Sequence, residues 1–167
     1  MNYFELFSID QNYTLDQKHL RKQYLALQEK YHPDKAKDEL HRRKNAEHSM
    51  LINEAFKVLK DDYLRAEYIL QLKGEALNDN TLKTVLSPIQ LEEILEEYEL
   101  IENIREDLSS LYSIEKNKNE IYKELVHNIA IAFSENNIKQ ALDLTVRLKY
   151  LTNLVNNIKL KIKNADN

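Results

Sequence analysis

Two side chains capable of proton chemistry stand two residues apart, His32 and Asp34, with Pro33 between them. An imidazole and a carboxylate at that spacing can exchange a proton, hold a cation or be offered to a partner surface. The proline narrows the choice. Its ring fixes its own φ and pushes His32 out of the helical region, so a helix arriving from the N-terminal side must stop near His32. Two prolines and one glycine occur in 167 residues, which makes each a rare mark of punctuation. A connection that only had to turn the chain would use Gly, Asn or Ser. Tyr31-His32-Pro33-Asp34-Lys35 therefore reads as a stiff, exposed corner that presents its side chains.

Other chemistry-bearing residues are less organised. His41 and His48 can share one helix face and would be the seed of a metal-dependent enzyme, whereas His19, His32 and His127 are scattered. The chain has no cysteine, which removes thiolate ligands and disulfides. No glycine-rich phosphate loop, GxSxG elbow or HExxH pair occurs. Paired glutamates on a solvated helix have nothing around them to shift their pKa values toward acid–base work. The expectation is a binding protein without metal or cofactor, not an enzyme.

The elements that carry these residues are helices. Scarce Gly and Pro, with abundant Leu, Glu, Lys and Ile, point to an all-α fold. Hydrophobic residues at 43% and charged residues at 31% suit a globular chain and argue against disorder. No apolar run reaches the length of a membrane span, and the start (Tyr3, Phe4, Leu6, Phe7) enters the folded pattern at once. A cytoplasmic protein of bacterial type without a targeting segment is expected, with no membrane partner. The periodicity predicts a short helix at 2–7 and a helix from Leu15 to Tyr31 with Thr14 as N-cap. On it Leu20, Tyr24, Leu27 and Tyr31 share one face, and Lys18, Lys22, Arg21 and Lys30 lie opposite or on the flanks. A helix over 38–60 follows, with Leu51, Ile52, Ala55, Phe56 and Leu59 closing on Tyr24 and Leu27. The two form an antiparallel pair with the corner at one end. A further helix, Tyr63 to Leu72, ends at Gly74.

Residues 1–75 read as one domain, 76–86 as a linker and 87–167 as an antiparallel bundle of three long helices. Ser87-Pro88-Ile89-Gln90 opens the bundle with an N-cap serine, a proline at the first helical position and a glutamine at the third. The bundle helices are expected over 88–112, 114–133 and 138–162. Charge is uneven. Thirteen basic and thirteen acidic residues fall in 1–75, two and nine in 76–112, and nine and six in 113–167. An acidic middle argues against nucleic acid as a partner.

A second candidate surface lies on the first bundle helix. Projected at about 100° per residue, Leu100, Leu111, Ile104, Leu108, Ile101 and Ile94 fill an inward arc. The neighbouring arc holds Tyr98, Leu91, Glu102, Leu95, Glu106 and Glu99. Leu95 thus sits among glutamates, away from the core stripe. Either Leu95 and Tyr98 fill a wide bundle edge, or they anchor a partner in a carboxylate-ringed groove that Tyr150-Leu151 of the last helix completes.

The first 75 residues resemble a J domain, whose hallmark is a His-Pro-Asp loop between two antiparallel helices with a basic second helix. The whole chain resembles the HscB family of co-chaperones in iron–sulfur cluster assembly. Tyr3-Phe4 with Leu6-Phe7, Leu27-Gln28 leading into the corner, Ile52-Asn53 with Ala55, Arg65-Ala66-Glu67-Tyr68, and Glu99-Leu100 carry that likeness. The resemblance implies stimulation of ATP hydrolysis by a DnaK-type chaperone (HscA-like) through His32, Pro33, Asp34 and Lys35, with Arg21, Lys22 and Lys30 as electrostatic contacts. It implies that an iron–sulfur scaffold protein (IscU-like) is held by Ile94, Leu95, Tyr98, Glu99, Glu102, Glu106 and Tyr150. A general J-domain co-chaperone for unfolded clients is the alternative. Where some relatives place a proline after the third J-domain helix, this chain has Asp61-Asp62.

Overall fold

The computed structural model describes residues 1–104 and 108–165, and all regular structure among them is helical. The helices are α1 (Tyr3–Leu6), α2 (Gln17–Lys30), α3 (Glu39–Lys60), α4 (Asp62–Leu72), α5 (Asp79–Val85), α6 (Pro88–Asn103), α7 (Leu108–Ser134) and α8 (Ile138–Ala165), with a 3-10 turn at Pro33–Lys35. The chain divides into two compact units, Met1–Tyr68 and Ile69–Asn167.

In the first unit α2 and α3 run antiparallel. Tyr24 stacks on Phe56 with centroids 4.1 Å apart, Gln28 donates to Asn53 at 2.7 Å, and Tyr31 stacks on His48 at 4.6 Å. As the residue number rises on α2 it falls on α3. Phe4, Leu20, Ile52, Ala55 and Leu59 are buried in this unit, but Leu51, expected in the α3 stripe, is exposed. Helix α2 begins later than expected. Asp16, not Thr14, is its N-cap and accepts the amides of Lys18 (2.9 Å) and His19 (3.1 Å), because a carboxylate serves two orphan donors at once.

One buried cation holds the end of α3 to the start of α4. Arg65, 3% exposed, donates to Tyr13 O (2.7 Å), Leu59 O (2.8 Å) and Asp62 Oδ1 (2.5 Å), and its guanidinium lies 4.7 Å from the Tyr13 ring centroid. Asp61-Asp62 is thus engaged locally: Asp61 accepts the Leu64 amide at 2.9 Å and Asp62 pairs with Arg65. Tyr68 accepts the Tyr3 amide at 2.9 Å and stacks on the Tyr3 ring. The Arg65–Tyr68 stretch therefore ties the unit together.

In the second unit Gly74, with φ +87°, closes a Schellman motif in which Glu75 N reaches Leu70 O (2.9 Å) and Gly74 N reaches Gln71 O (3.1 Å). Asn136 (φ +53°) closes the same motif at the end of α7. The capping box expected at Ser87 is present: Ser87 Oγ accepts the Gln90 amide (3.3 Å) and Gln90 Oε1 accepts the Ser87 amide (2.9 Å). Helices α7 and α8 pack antiparallel, with Leu111 beside Leu154, Ile158 and Ile162 at one end and Ala132 beside Ala141 at the other. Within the stretch expected as a linker, 79–85 forms α5.

The first bundle helix is shorter than its pattern suggests. It ends at Asn103, where Ile104 turns to an extended ψ of 112°. Leu108 and Leu111 consequently belong to α7, where they pack on α6 and α8 from a separate element, and not to the inward arc of α6. Leu100, also expected inward, is 67% exposed. Ile101 is the one buried residue of α6.

Candidate functional site

The corner is held by its backbone and leaves its side chains outward. His32, in an extended conformation, caps the 3-10 turn: its Nδ1 accepts the Asp34 amide at 3.3 Å, and its carbonyl accepts the Lys35 amide at 3.0 Å. Asn45 of α3 donates to that same carbonyl at 3.3 Å, and Pro33 O accepts the Ala36 amide at 3.1 Å. An Nδ1 that accepts places the ring proton on Nε2. With the backbone groups satisfied internally, the His32 and Asp34 side chains stay 55% and 77% exposed. The Tyr31–His48 stack and the Gln28–Asn53–Ser49 hydrogen bonds clamp α2 to α3 just before the corner.

Around it the expected cations are exposed. Arg21 and Lys22 lie on the solvent side of α2, Lys30 approaches the Tyr31 ring at 5.2 Å, and Lys35 pairs with Glu29 at 3.1 Å. Sequence reasoning did not single out Arg42, which borders a hollow shared with Pro33, Asp34 and Asp38. The dense charge over 37–44 was its only signal. His41 and His48 make no common site. His41 Nδ1 lies 2.8 Å from Asp38, the N-cap of α3, whereas His48 Nδ1 meets Lys44 O at 2.7 Å. The His41 amide and ring hold the Asp38 carboxyl below the usual range. Among the described residues no group of three His, Asp or Glu is placed to hold a metal.

The second surface is assembled by α6 and α8, which run in the same direction. Tyr98 donates its hydroxyl to Tyr150 O at 3.3 Å, and Ile94, Tyr98, Tyr150 and Leu151 line a cavity of about 370 Å³. Burial, and then the neighbouring Tyr150, raises the Tyr98 pKa, so its hydroxyl remains a donor. Leu95 is 63% exposed, with Glu99 and Glu102 exposed beside it. Glu106 lies outside the described residues. Two lysines that the sequence did not single out tie this acidic helix down. Lys161 of α8 donates to Ile101 O (2.7 Å) and Glu102 O (2.6 Å), and half-buried Lys118 of α7 pairs with Glu97. No basic residue lies in the last turn of α6, so Lys161 supplies the positive charge its C-terminal carbonyls favour.

Comparison with known proteins covers both units. Residues 2–68 match the DnaJ domain model and residues 87–159 the HSCB C-terminal oligomerisation domain model. The chain is 30% identical to the Co-chaperone protein HscB homolog of Vibrio vulnificus over 96% of each chain. It is 32% identical to that of Shewanella woodyi over 92% of each. Among solved structures, human co-chaperone HscB superposes with a TM-score of 0.88 at 26% identity, covering 96% of this chain and 82% of the human one. Chaperone HscB from Vibrio cholerae gives 0.84 at 28%, covering 95% and 96%. No helix among the described residues is long and apolar enough to cross a membrane.

Proposed function

The chain belongs to the HscB family of J-domain co-chaperones, and from that premise we propose that it stimulates the ATPase of a DnaK-type, HscA-like chaperone and delivers to it an IscU-like iron–sulfur scaffold. The observation that carries the reading is the rigid corner, whose His32 and Asp34 side chains are exposed while the backbone beneath them is internally satisfied. A partner that binds there meets a preformed set of groups and loses little loop entropy in doing so. Asp34 offers a carboxylate to a cation of the chaperone, and Nε2–H of His32 offers a donor. Arg21, Lys22 and Lys30, with Lys35 beside Glu29, form a cationic rim that speeds encounter and sets orientation more than it adds affinity.

On the second unit, Leu95, Ile94, Tyr98 and Tyr150 are the apolar anchors for the scaffold, Glu99 and Glu102 are the charged rim, and Glu106 is proposed as a further acidic contact on the family likeness alone. Covalent linkage of the two binding surfaces raises the effective concentration of scaffold at the chaperone. Iron and sulfur are cargo of the scaffold in this reading.

Single-turnover ATP hydrolysis by the chaperone, with and without this protein and with scaffold added, tests it. Stimulation that rises synergistically with scaffold is expected. Stimulation indifferent to scaffold would favour a general J-domain co-chaperone, and no stimulation at all would overturn the proposal.

A further inference from the structure

Helix α6 has two exposed apolar edges, and the proposed scaffold surface uses one of them. At about 100° per residue, Leu95 and Leu100 lie about 140° apart around the axis, whereas Ile89 and Leu100 lie within about 20° of each other. Ile89 and Leu100 are 68% and 67% exposed. They mark a second edge, about 16 Å long, on the α7 side of the helix. This edge leads into a concavity. Leu100 borders a hollow of about 400 Å³ that Ile101, Ile104 and Ile114 also line, with the mutually paired Glu97 and Lys118 at its border. The opening is roomy enough for a large apolar side chain.

Charge selects the occupant. Glu93 and Glu96 project at angles just outside the Ile89–Leu100 line, and both are exposed. Neither makes an ion pair among the described residues, while Glu97 is engaged by Lys118. From Pro88 to Asn103 the helix carries six glutamates and no lysine or arginine. Carboxylates left uncompensated in this way repel a phosphate backbone or an anionic lipid surface and attract a cationic polypeptide. Apolar contacts spaced over three helical turns match the spacing of anchors on an amphipathic helix.

We propose that the α6–α7 edge docks a basic amphipathic helix of a partner protein. Its apolar residues cover Ile89 and Leu100, one of them entering the hollow, and its lysines or arginines face Glu93 and Glu96. The edge adjoins the Tyr98–Tyr150 cavity, which Glu93 also lines, but its apolar anchors Ile89 and Leu100 lie outside that cavity.

The probe is a fluorescently labelled leucine–lysine amphipathic helical peptide, titrated by anisotropy into the full chain. Native protein is expected to bind it saturably, one to one. Ile89→Ser with Leu100→Ser should weaken binding about tenfold, and Leu95→Ser less than about twofold. Both residues of the double variant are exposed, and an unchanged circular-dichroism melt checks its fold. Glu93→Gln with Glu96→Gln leaves the apolar edge whole and should flatten the salt dependence of binding. Absent or unsaturable binding, equal affinity of all variants, or a loss in Leu95→Ser matching that of the double variant would each overturn the proposal. The ATPase assay is blind to these outcomes, so this inference and the co-chaperone reading fail separately.

Discussion

Asp34→Asn separates a residue that presents itself from one that supports the fold. The Asp34 carboxylate is 77% exposed, and the imidazole nitrogen facing it, His32 Nδ1, is 3.7 Å away. That nitrogen already accepts the Asp34 amide, which asparagine keeps. Asn45, Lys35 and Ala36 hold the rest of the corner through backbone oxygens, and the substitution touches none of those bonds. An exposed pair of this kind is worth about 0–1 kcal/mol. A surface replacement falls within about 0.5 kcal/mol, and for a small domain that moves Tm by at most about 2–4 °C. At the chaperone, the same change removes a charge from a contact that becomes desolvated, which costs about 2–5 kcal/mol. That converts to a weakening of about thirtyfold to several-thousandfold. Differential scanning calorimetry and a single-turnover ATPase titration, run on one preparation, read both quantities. A Tm drop beyond about 10 °C would make Asp34 structural. Stimulation within about threefold of native, at full titration, would remove it from the contact.

Arg65→Met makes the opposite prediction: it removes the buried donor to Tyr13 O and Leu59 O and the cation beside Asp62, and should destabilise the first unit by about 3–5 kcal/mol in urea melts; a loss under about 1 kcal/mol would refute the buried-cation account. Lys161→Met should reduce hydrogen-exchange protection in the last turn of α6 and weaken scaffold binding, with α7–α8 protection unchanged; a uniform loss across the bundle would contradict a positioning role. Tyr98→Phe removes the bond to Tyr150 O and should cost about 1 kcal/mol of stability in the second unit, whereas Leu95→Ala should cost almost none and still weaken scaffold binding. Asp16 and Asp38 are held below the ordinary carboxylate range chiefly by the amides of His19 and His41. Depressed folded values mean their capping is present above the unfolded pKa of about 3.9 and lost as pH falls through the folded one, so protection of the first amides of α2 and α3 should drop in acid and stay level near neutrality.

The most legible features were those written as local punctuation. Pro33 announces the corner, Gly74 the end of α4 and Ser87-Pro88 the start of α6, because each residue acts on its own backbone within one turn. The end of α6 carried no such mark. Residues 88–112 hold no internal proline or glycine, and the apolar period runs through Asn103 without a break. Leu108 and Leu111 fit the α6 arc by angle, yet they pack from α7, since the same leucines satisfy the core from either element. Leu100 was placed inward by the same projection, at the edge of the arc, and is exposed, because it stands about 100° around the axis from the buried Ile101.

Composition, period and punctuation were thus enough to determine an all-α chain, its exposed His-Pro-Asp corner and the acidic helix with Leu95 among glutamates. These depend on properties local to one helix or one turn. Tertiary structure alone decided what crosses between elements. It placed Arg65 over Tyr13, made Lys161 and Lys118 the ties of α6, and set the α6–α7 hollow beside Leu100. Each of these joins residues far apart in sequence through the geometry of packed helices, and no spacing along the chain encodes which lysine reaches which carbonyl.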